Sequence, residues 1–351
     1  MKKYYTRACN FYYGSISKSL IKKKLALPLC GNNNIAFDKV EILSRYNNKF
    51  TSKIININKI KKLNPLLKIK INKDIKKITI KRKKFKEPTI MGILNMTPDS
   101  FSDGGKFNSL KKAFSHINLM IKAGAEIIDV GGESTRPGSK TILPAEEWKR
   151  IKDIIKNFKK KYPKILLSVD TRKSELIKKS IKNNVDIIND VSGFKYNKNS
   201  LKIVENKNIW KIAHHMQGTP NTMQINPKYN NVLLDIYDFF ETFINNQIKN
   251  KKYKYKIIID PGIGFGKNLQ HNLMLMSKIS LFHSLGFPIL IGSSRKRFIS
   301  QISGKFDTKE RIGGTLSSVL FMLSQGVQIF RVHNVKEVKQ GILVFKALLN
   351  Q

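Results

Sequence analysis

Several residues in this chain have types and spacings suited to one kind of chemistry. Asp170, Asn189, Asp260 and Lys296 each close or follow a short apolar run. Together they suit a flat heterocycle with several donors and acceptors. An ionised carboxylate accepts two parallel N–H bonds from an amino-pyrimidinone edge much as it does from a guanidinium. A second set, Asn95, Arg136, Arg295, Arg331 and His333, suits a polyphosphate, because arginine binds phosphate oxygens bidentately and always carries its charge. A polyphosphate brings the expectation of Mg²⁺, which often takes one or two protein oxygens and completes its shell with phosphate and water. Asn95 and the acidic loop at Asp99 and Asp103 are the candidate ligands. Taken singly, any of these Asp, Asn or Ser residues could simply cap a following helix. Other chemistries are disfavoured. No Ser/His/Asp context or HExxH is visible, and both cysteines, Cys9 and Cys30, lie far from these residues in the chain. Adjacent strand residues face opposite ways, so His214 and His215 do not make a metal pair.

The elements that must position these groups follow a regular alternation. Eight apolar runs occur, at residues 89–95, 126–132, 164–170, 186–190, 210–215, 256–262, 288–294 and 329–334. Helical periodicity lies between most of them, at Leu110–Ile121, Glu146–Phe158, Ser174–Ile181, Val232–Ile248, Leu273–Phe282 and Gly314–Leu323, and again at Val338–Leu349 after the last. The link between runs four and five is short and poorly periodic. Strands alternating with helices imply parallel pairing with right-handed crossovers, and eight units imply a closed (β/α)8 barrel of the α/β class. An open doubly wound sheet is disfavoured, since no early βα turn carries GxGxxG. In a barrel the C-terminal strand ends converge on one mouth, and the polar residues above all sit at those ends.

Charge divides the chain. Residues 1–86 hold 24 Lys and Arg against 3 Asp and Glu, half of the net +42, and only Gly14 and Gly31 precede Gly92. We therefore expect a Lys-rich N-terminal extension over 1–86 and the barrel over 87–351. Period-2 alternation at Leu67–Ile71 and Lys77–Ile80 reads as one or two strands of a small module, with a weakly ordered arm as the alternative. The charge raises the possibility of nucleic-acid binding. However, Lys, Asn and Ile abound throughout, including on the outer faces of the expected helices, so compositional bias is the preferred reading. The charge would still steer anionic substrates. The apolar runs are too short to cross a membrane, and no secretory signal is visible at the N-terminus. Two cysteines without a CxxC partner fit a reduced cytoplasmic protein.

The motifs GILNMTPDSFSDGG (92–105), DVGGESTRPG (129–138), SVDTRK (168–173), NDVSG (189–193), HMQGTP (215–220), DPGIGFGK (260–267), SRKRF (294–298) and RVH (331–333) resemble those of dihydropteroate synthases, in that family's order. The resemblance implies a TIM barrel, a sulfonamide target, that condenses 6-hydroxymethyl-7,8-dihydropterin pyrophosphate with 4-aminobenzoate, commonly as a homodimer. It implies that Asp170, Asn189, Asp260 and Lys296 hold the pterin. Asn95, Arg331 and His333 would hold pyrophosphate, with Mg²⁺ against Asn95. The loops at 96–106 and 134–140 would close over the site, with Phe101, Thr135, Pro137 and Phe265 bordering the aminobenzoate. Three positions depart from the family's pattern: His214 where many members have Met, Arg297 where many have Ser, and Asn334 where Asp is usual. A methyltetrahydrofolate-dependent methyltransferase would share the ring contacts but would not need the Asn95 loop with Arg331 and His333. A non-catalytic paralogue is disfavoured by the intact loops at 95–105 and 134–138.

Overall fold

The computed structural model describes residues 2–85, 88–97, 106–135, 138–248, 253, 255–304 and 307–350. Its first part is a four-stranded antiparallel sheet. Strand β1 (Lys3–Tyr13) runs into helix α1 (Gly14–Lys22), followed by β2 (Leu27–Leu29), β3 (Asn32–Tyr46) and β4 (Lys49–Asn56). The central strand is β3, which pairs with the other three. Asn47 and Asn48 join β3 to β4, both with positive φ, as a tight two-residue hairpin turn requires.

Helix α2 (Pro65–Thr79) follows, with Asn64 accepting from the Leu67 N–H at its start. This corrects the expectation of strands at Leu67–Ile71 and Lys77–Ile80. Alternating Lys and Ile satisfies period 2, but Leu67, Ile71, Ile75 and Ile78 also recur at helical spacing. That face packs against Ala8, Phe37 and Val40 of the sheet. The one acid on it, Asp74, is buried and accepts from Thr6 at 2.7 Å and from Lys70.

All eight expected runs are parallel strands: β5 (Thr89–Asn95), β6 (Ile127–Gly131), β7 (Leu166–Asp170), β8 (Ile187–Asp190), β9 (Trp210–His214), β10 (Ile257–Asp260), β11 (Leu290–Ile291) and β12 (Ile329–Val332). Their order is β10-β9-β8-β7-β6-β5-β12-β11, and a parallel bridge from Ile259 to Ile289 joins the two ends. This is a (β/α)8 barrel. The outer ring comprises α3 (Lys106–Lys122), α4 (Pro144–Lys161), α5 (Ser174–Lys182), α6 (Lys198–Glu205), α7 (Val232–Ile248), α8 (Leu269–Ser277), α10 (Ile312–Ser324) and α11 (Val335–Leu349), with a short α9 (Arg297–Ser303) before α10. Helix α6 fills the poorly periodic link. The expected Leu273–Phe282 helix splits into α8 and a 3-10 turn, Ile279–Leu285.

Strand side chains alternate between the inside and outside of the barrel. Met91, Ile127, Ile187, Ile212, Ile258, Leu290 and Ile329 form an apolar interior layer. Below it, Phe85 and Trp210 meet edge to face at 5.0 Å and close the floor. Two residues further along the strands the interior turns polar, with Asp129, Asn189 and Asp260 and, on β7, Ser168; beyond these lie Asn95 and Asp170.

The N-terminal sheet shares a core with the barrel. Tyr5 is wholly buried, meets Tyr237 at 5.2 Å, and joins Leu43 in the barrel's main apolar cluster. Strand β1 and helix α2 lie on the 3-10 turn, all seven residues of which are buried. Ion pairs frame this seam. Arg45 pairs with Asp235 and Asp238, Lys3 with Asp238 and Glu241, and Glu41 with Arg7 and Lys278. Burial raises the Glu41 pKa, but bonds from Lys278 and Ser52 and the Arg7 charge more than reverse this, to about 2.

Candidate active site

The site has a buried floor and a half-buried rim. Asp129, Asp170, Asn189, His214 and Asp260 are buried; Asn95, Lys296, Arg331 and His333 are half-buried around them. Each but Asp129, which lies mid-strand in β6, is delivered by a strand end or the loop that follows, as barrel geometry dictates.

Arg331 organises one side. Its Nε donates to Asp129 Oδ2 at 2.6 Å and its Nη2 to Asp170 Oδ2 at 2.8 Å. Asn189 donates to the same Asp129 oxygen at 3.1 Å. Two buried carboxylates thus share one guanidinium. Burial pushes the Asp170 carboxyl above the usual range; Arg331 opposes this and Asp129 adds to it. Asn189 Oδ1 and Asp129 Oδ1 are buried without a hydrogen-bond partner among the described residues. The Asn189 oxygen can accept an N–H from a ring seated here.

Asp260 forms the other wall. The Gly262 N–H donates to its Oδ1 at 2.8 Å. Burial raises its pKa to about 6, against the lowering effects of that bond and of Arg331, Lys296 and Lys267. His214 Nδ1 lies 2.9 Å from the Val191 carbonyl, which can only accept, so that nitrogen carries the proton. Burial, then Lys267 and Lys296, hold this imidazole well below its ordinary pKa, so it is neutral. Its Nε2 lone pair lies 4.0 Å from Asp260 Oδ2. The ring also meets Phe265 edge to face at 4.5 Å, and Lys296 Nζ lies 3.9 Å over the other participant, Phe265. Only glycine fits at 262: φ is +71°, and a Cβ would fall 2.0 Å from the His215 carbonyl oxygen.

At the rim, the His333 N–H donates to Ser294 Oγ at 3.2 Å, and Ser294 Oγ lies 3.0 Å from His333 Nδ1. The Ser294 hydroxyl thus holds His333 through both its backbone N–H and its ring Nδ1. Arg295 donates twice to Asn334 Oδ1, at 3.0 and 2.7 Å. Asn334 thus orients Arg295, while Ser294 orients His333. Arg297 is exposed at the start of α9. Asp190 faces away from the mouth and accepts from the Ser192 N–H and hydroxyl, the turn-capping role. Thr135 is half-buried in its loop. Phe101, Arg136 and Pro137, with Asp99 and Asp103, lie outside the described residues.

Three contributors were not singled out from the sequence. Asp129 lies inside a quoted motif but mid-strand, without the strand-end signal. Lys267 is buried on His215 Nδ1 (3.1 Å) and the Phe265 carbonyl (2.8 Å); burial lowers its pKa to about 7, with Asp260 opposing. Glu133 anchors the base of the 134–140 loop. It accepts from the Ile142 N–H at 3.1 Å, Lys173 at 2.9 Å and Arg172 at 3.1 Å, while Lys173 also reaches Glu147 at 2.6 Å.

Residues 91–333 match the family described as pterin binding enzyme, so the fold and site define the chain as a pterin-binding barrel. The dihydropteroate synthase of Escherichia coli K12 is 42% identical over 263 residues, 75% of this chain and 92% of that one. That of Bacillus subtilis is 38% identical over 268 residues, 76% and 91% of the two chains. The solved Yersinia pestis dihydropteroate synthase with a sulfonamide has a TM-score of 0.71 at 37% identity, covering 76% of this chain and 96% of that one. The Xanthomonas albilineans enzyme with 4-aminobenzoic acid has a TM-score of 0.69 at 31% identity, covering 75% and 94%. The chain belongs to the dihydropteroate synthase family.

Proposed function

We propose that this chain condenses 6-hydroxymethyl-7,8-dihydropterin pyrophosphate with 4-aminobenzoate, releasing pyrophosphate and forming 7,8-dihydropteroate. The observation that carries this reading is the position of Arg331. It is bonded to Asp170 and Asp129 on the ring-binding side and lies two residues from His333 on the rim. One cation thus joins the place for the pterin to the place for its leaving group.

In this reading Asp260 and Asn189 take the N–H edge of the pterin, and His214 and Lys296 flank it. Arg331 and His333 receive the pyrophosphate as its C–O bond breaks. Asp170, kept available by Arg331, stabilises positive charge developing on the pterin side. The 4-aminobenzoate amine, neutral at pH 7, attacks that carbon beside Phe265 and Thr135 and then loses a proton to solvent. Residues 98–105 and 136–137 of the two loops expected to cover the site lie outside the described residues.

No cluster of three or more His, Cys, Asp or Glu able to hold a metal exists among the described residues. Mg²⁺ would arrive with the pyrophosphate, and Asn95 Oδ1, an oxygen suited to a hard cation, would be the protein atom to hold it. Its contribution there would be neutralisation of leaving-group charge.

We further propose a homodimer through the face of α8, α9 and α10. A groove of about 780 Å³ there is lined by Leu273, Met274, Phe298, Ile302 and Phe321. Met274, Ile302 and Phe321 are exposed, and an apolar patch of this kind marks an association surface. Light scattering on the purified chain tests it; a monomer at micromolar concentration rules it out. Free Cys9 and Cys30 support a cytoplasmic location.

The activity test is pyrophosphate release from the pterin pyrophosphate, with and without 4-aminobenzoate, alongside detection of 7,8-dihydropteroate. Release that does not depend on the arylamine would overturn the proposal.

A further inference from the structure

Away from the mouth, the seam between the N-terminal sheet and the barrel contains an unusual thiol. Cys30 and Gly31 form the two-residue turn from β2 to β3, both with positive φ (53° and 69°). Backbone bonds clamp the turn: the Cys30 N–H donates to Ile78 O at 2.8 Å, and the Arg82 N–H to Cys30 O at 3.4 Å. This directs Sγ towards the barrel, 3.3 Å from His283 Nδ1 on the 3-10 turn. His283 is wholly buried, and its Nε2 lies 2.8 Å from the Gln325 carbonyl. That carbonyl can only accept, so Nε2 carries a proton and Nδ1 is left to share one with the thiol. The Gln328 side-chain amide also donates to Sγ, at 3.3 Å.

A second, independent feature faces the same place. Arg82 is 7% exposed and donates from Nη1 to the Gly286 carbonyl. Its Nε and Nη2 are buried with no hydrogen-bond partner among the described residues. Cys30 and Arg82 line one cavity of about 220 Å³, together with Lys81, Asn32 and Gln328. A neutral thiol uses one acceptor. Cys30 instead faces an imidazole, an amide donor and a guanidinium, a set that favours a sulfur anion. A nucleophile, a base and a carbonyl that orients the base form the arrangement that activates thiols.

We propose that Cys30 is a thiol-modification site that takes an anionic low-molecular-weight disulfide, with Arg82 receiving the reagent's carboxylate. Cys30 Sγ forms a bond to the nearer sulfur, and the reagent's S–S bond breaks. The departing thiolate takes the proton that His283 shared with Cys30. Cys30 is oxidised and the departing half of the reagent reduced, so no further reactant is needed. The titratable groups that bear on Sγ are His283 from the 3-10 turn and Arg82 from the segment after α2, with Lys81 lining the cavity. Burial alone would raise the Cys30 pKa; His283 and then Arg82 more than reverse this, to about 7.

The test uses the full chain. Oxidised glutathione at pH 7, followed by peptide mass mapping, is expected to place one glutathionyl group on Cys30. Iodoacetamide at pH 6 should alkylate Cys30 roughly five- to tenfold faster than a free thiol of ordinary pKa, the lower nucleophilicity of a low-pKa sulfur included. Arg82→Gln should slow anionic iodoacetate several-fold more than neutral iodoacetamide. The wild-type alkylation profile needs no variant to fold. A Cys30 rate equal to that of the free thiol across pH 5–9, or glutathionylation confined to Cys9, would overturn the proposal. An unchanged iodoacetate-to-iodoacetamide ratio in Arg82→Gln would overturn the part assigned to Arg82.

Discussion

Arg331 Nη2 donates to Asp170 Oδ2 at 2.8 Å, joining strands that stand three places apart in the barrel. The same guanidinium holds Asp129. Arg331→Met should therefore leave two buried carboxylates without their cation and destabilise the fold by about 3–5 kcal/mol. Urea unfolding measures this. Asp170→Asn in the Arg331→Met background should recover part of the loss, and strict additivity of the two changes would show that the pair is not coupled.

Asp260→Asn should separate stability from binding. The amide keeps the oxygen that accepts from Gly262 but carries no charge to desolvate. The folded pKa is raised to about 6, so the carboxylate's unfavourable contribution appears as pH rises from the unfolded range near ~4 through about 6. At pH 7 the variant should gain about 1–3 kcal/mol of stability and lose pterin affinity. A variant that is less stable than the parent at pH 7 argues against a strained carboxylate.

The same group predicts a pH profile for binding. If ionised Asp260 accepts the pterin N–H edge, affinity for a pterin analogue should rise with pH through about 6 and then level off. Calorimetry between pH 5 and 8 reads this directly, and a flat profile removes Asp260 from the contact.

Much of this arrangement was legible in the sequence because strand ends carry it. The runs ending at Asn95, Asp170, Asn189 and Asp260 are strands, and alternation of side chains decides that these residues point inward. The partner of Arg331 was not legible. Asp129 is mid-strand, and reading alone sorted Arg331 with phosphate and Asp170 with the ring, whereas space puts them in contact. The helix at α2 was misread because Lys-Ile repeats fit both periods and only the sheet beneath selects one. Tyr5 carried no signal of burial, since its partner Tyr237 is remote in the chain.

Ser294→Ala should remove the hydroxyl that holds the His333 ring at Nδ1. We expect kcat to fall about tenfold with little change in pterin affinity, since the pterin wall does not include Ser294. Imidazole nitrogen shifts measured by NMR should move at His333 Nδ1; an unchanged Nδ1 shift would rule out this role.

Tyr5→Ala should act on the barrel although Tyr5 lies in β1. The shared core predicts a loss of about 3 kcal/mol in one cooperative transition. Both tryptophans, Trp148 and Trp210, lie within the barrel, so their fluorescence reports its unfolding. If that signal did not move, the sheet and the barrel would be independent.

The buried 3-10 turn Ile279–Leu285 also bears on inhibitor selectivity. The E. coli relative is matched over 92% of its length by 75% of this chain, which leaves it no room for an N-terminal segment of this size. A compound aimed at the mouth meets the strand-end residues that hold substrate. One that wedges between β1 and the 3-10 turn meets a seam that the E. coli relative has no segment of this size to build, and it would act by loosening a wall of the barrel rather than by competing with substrate.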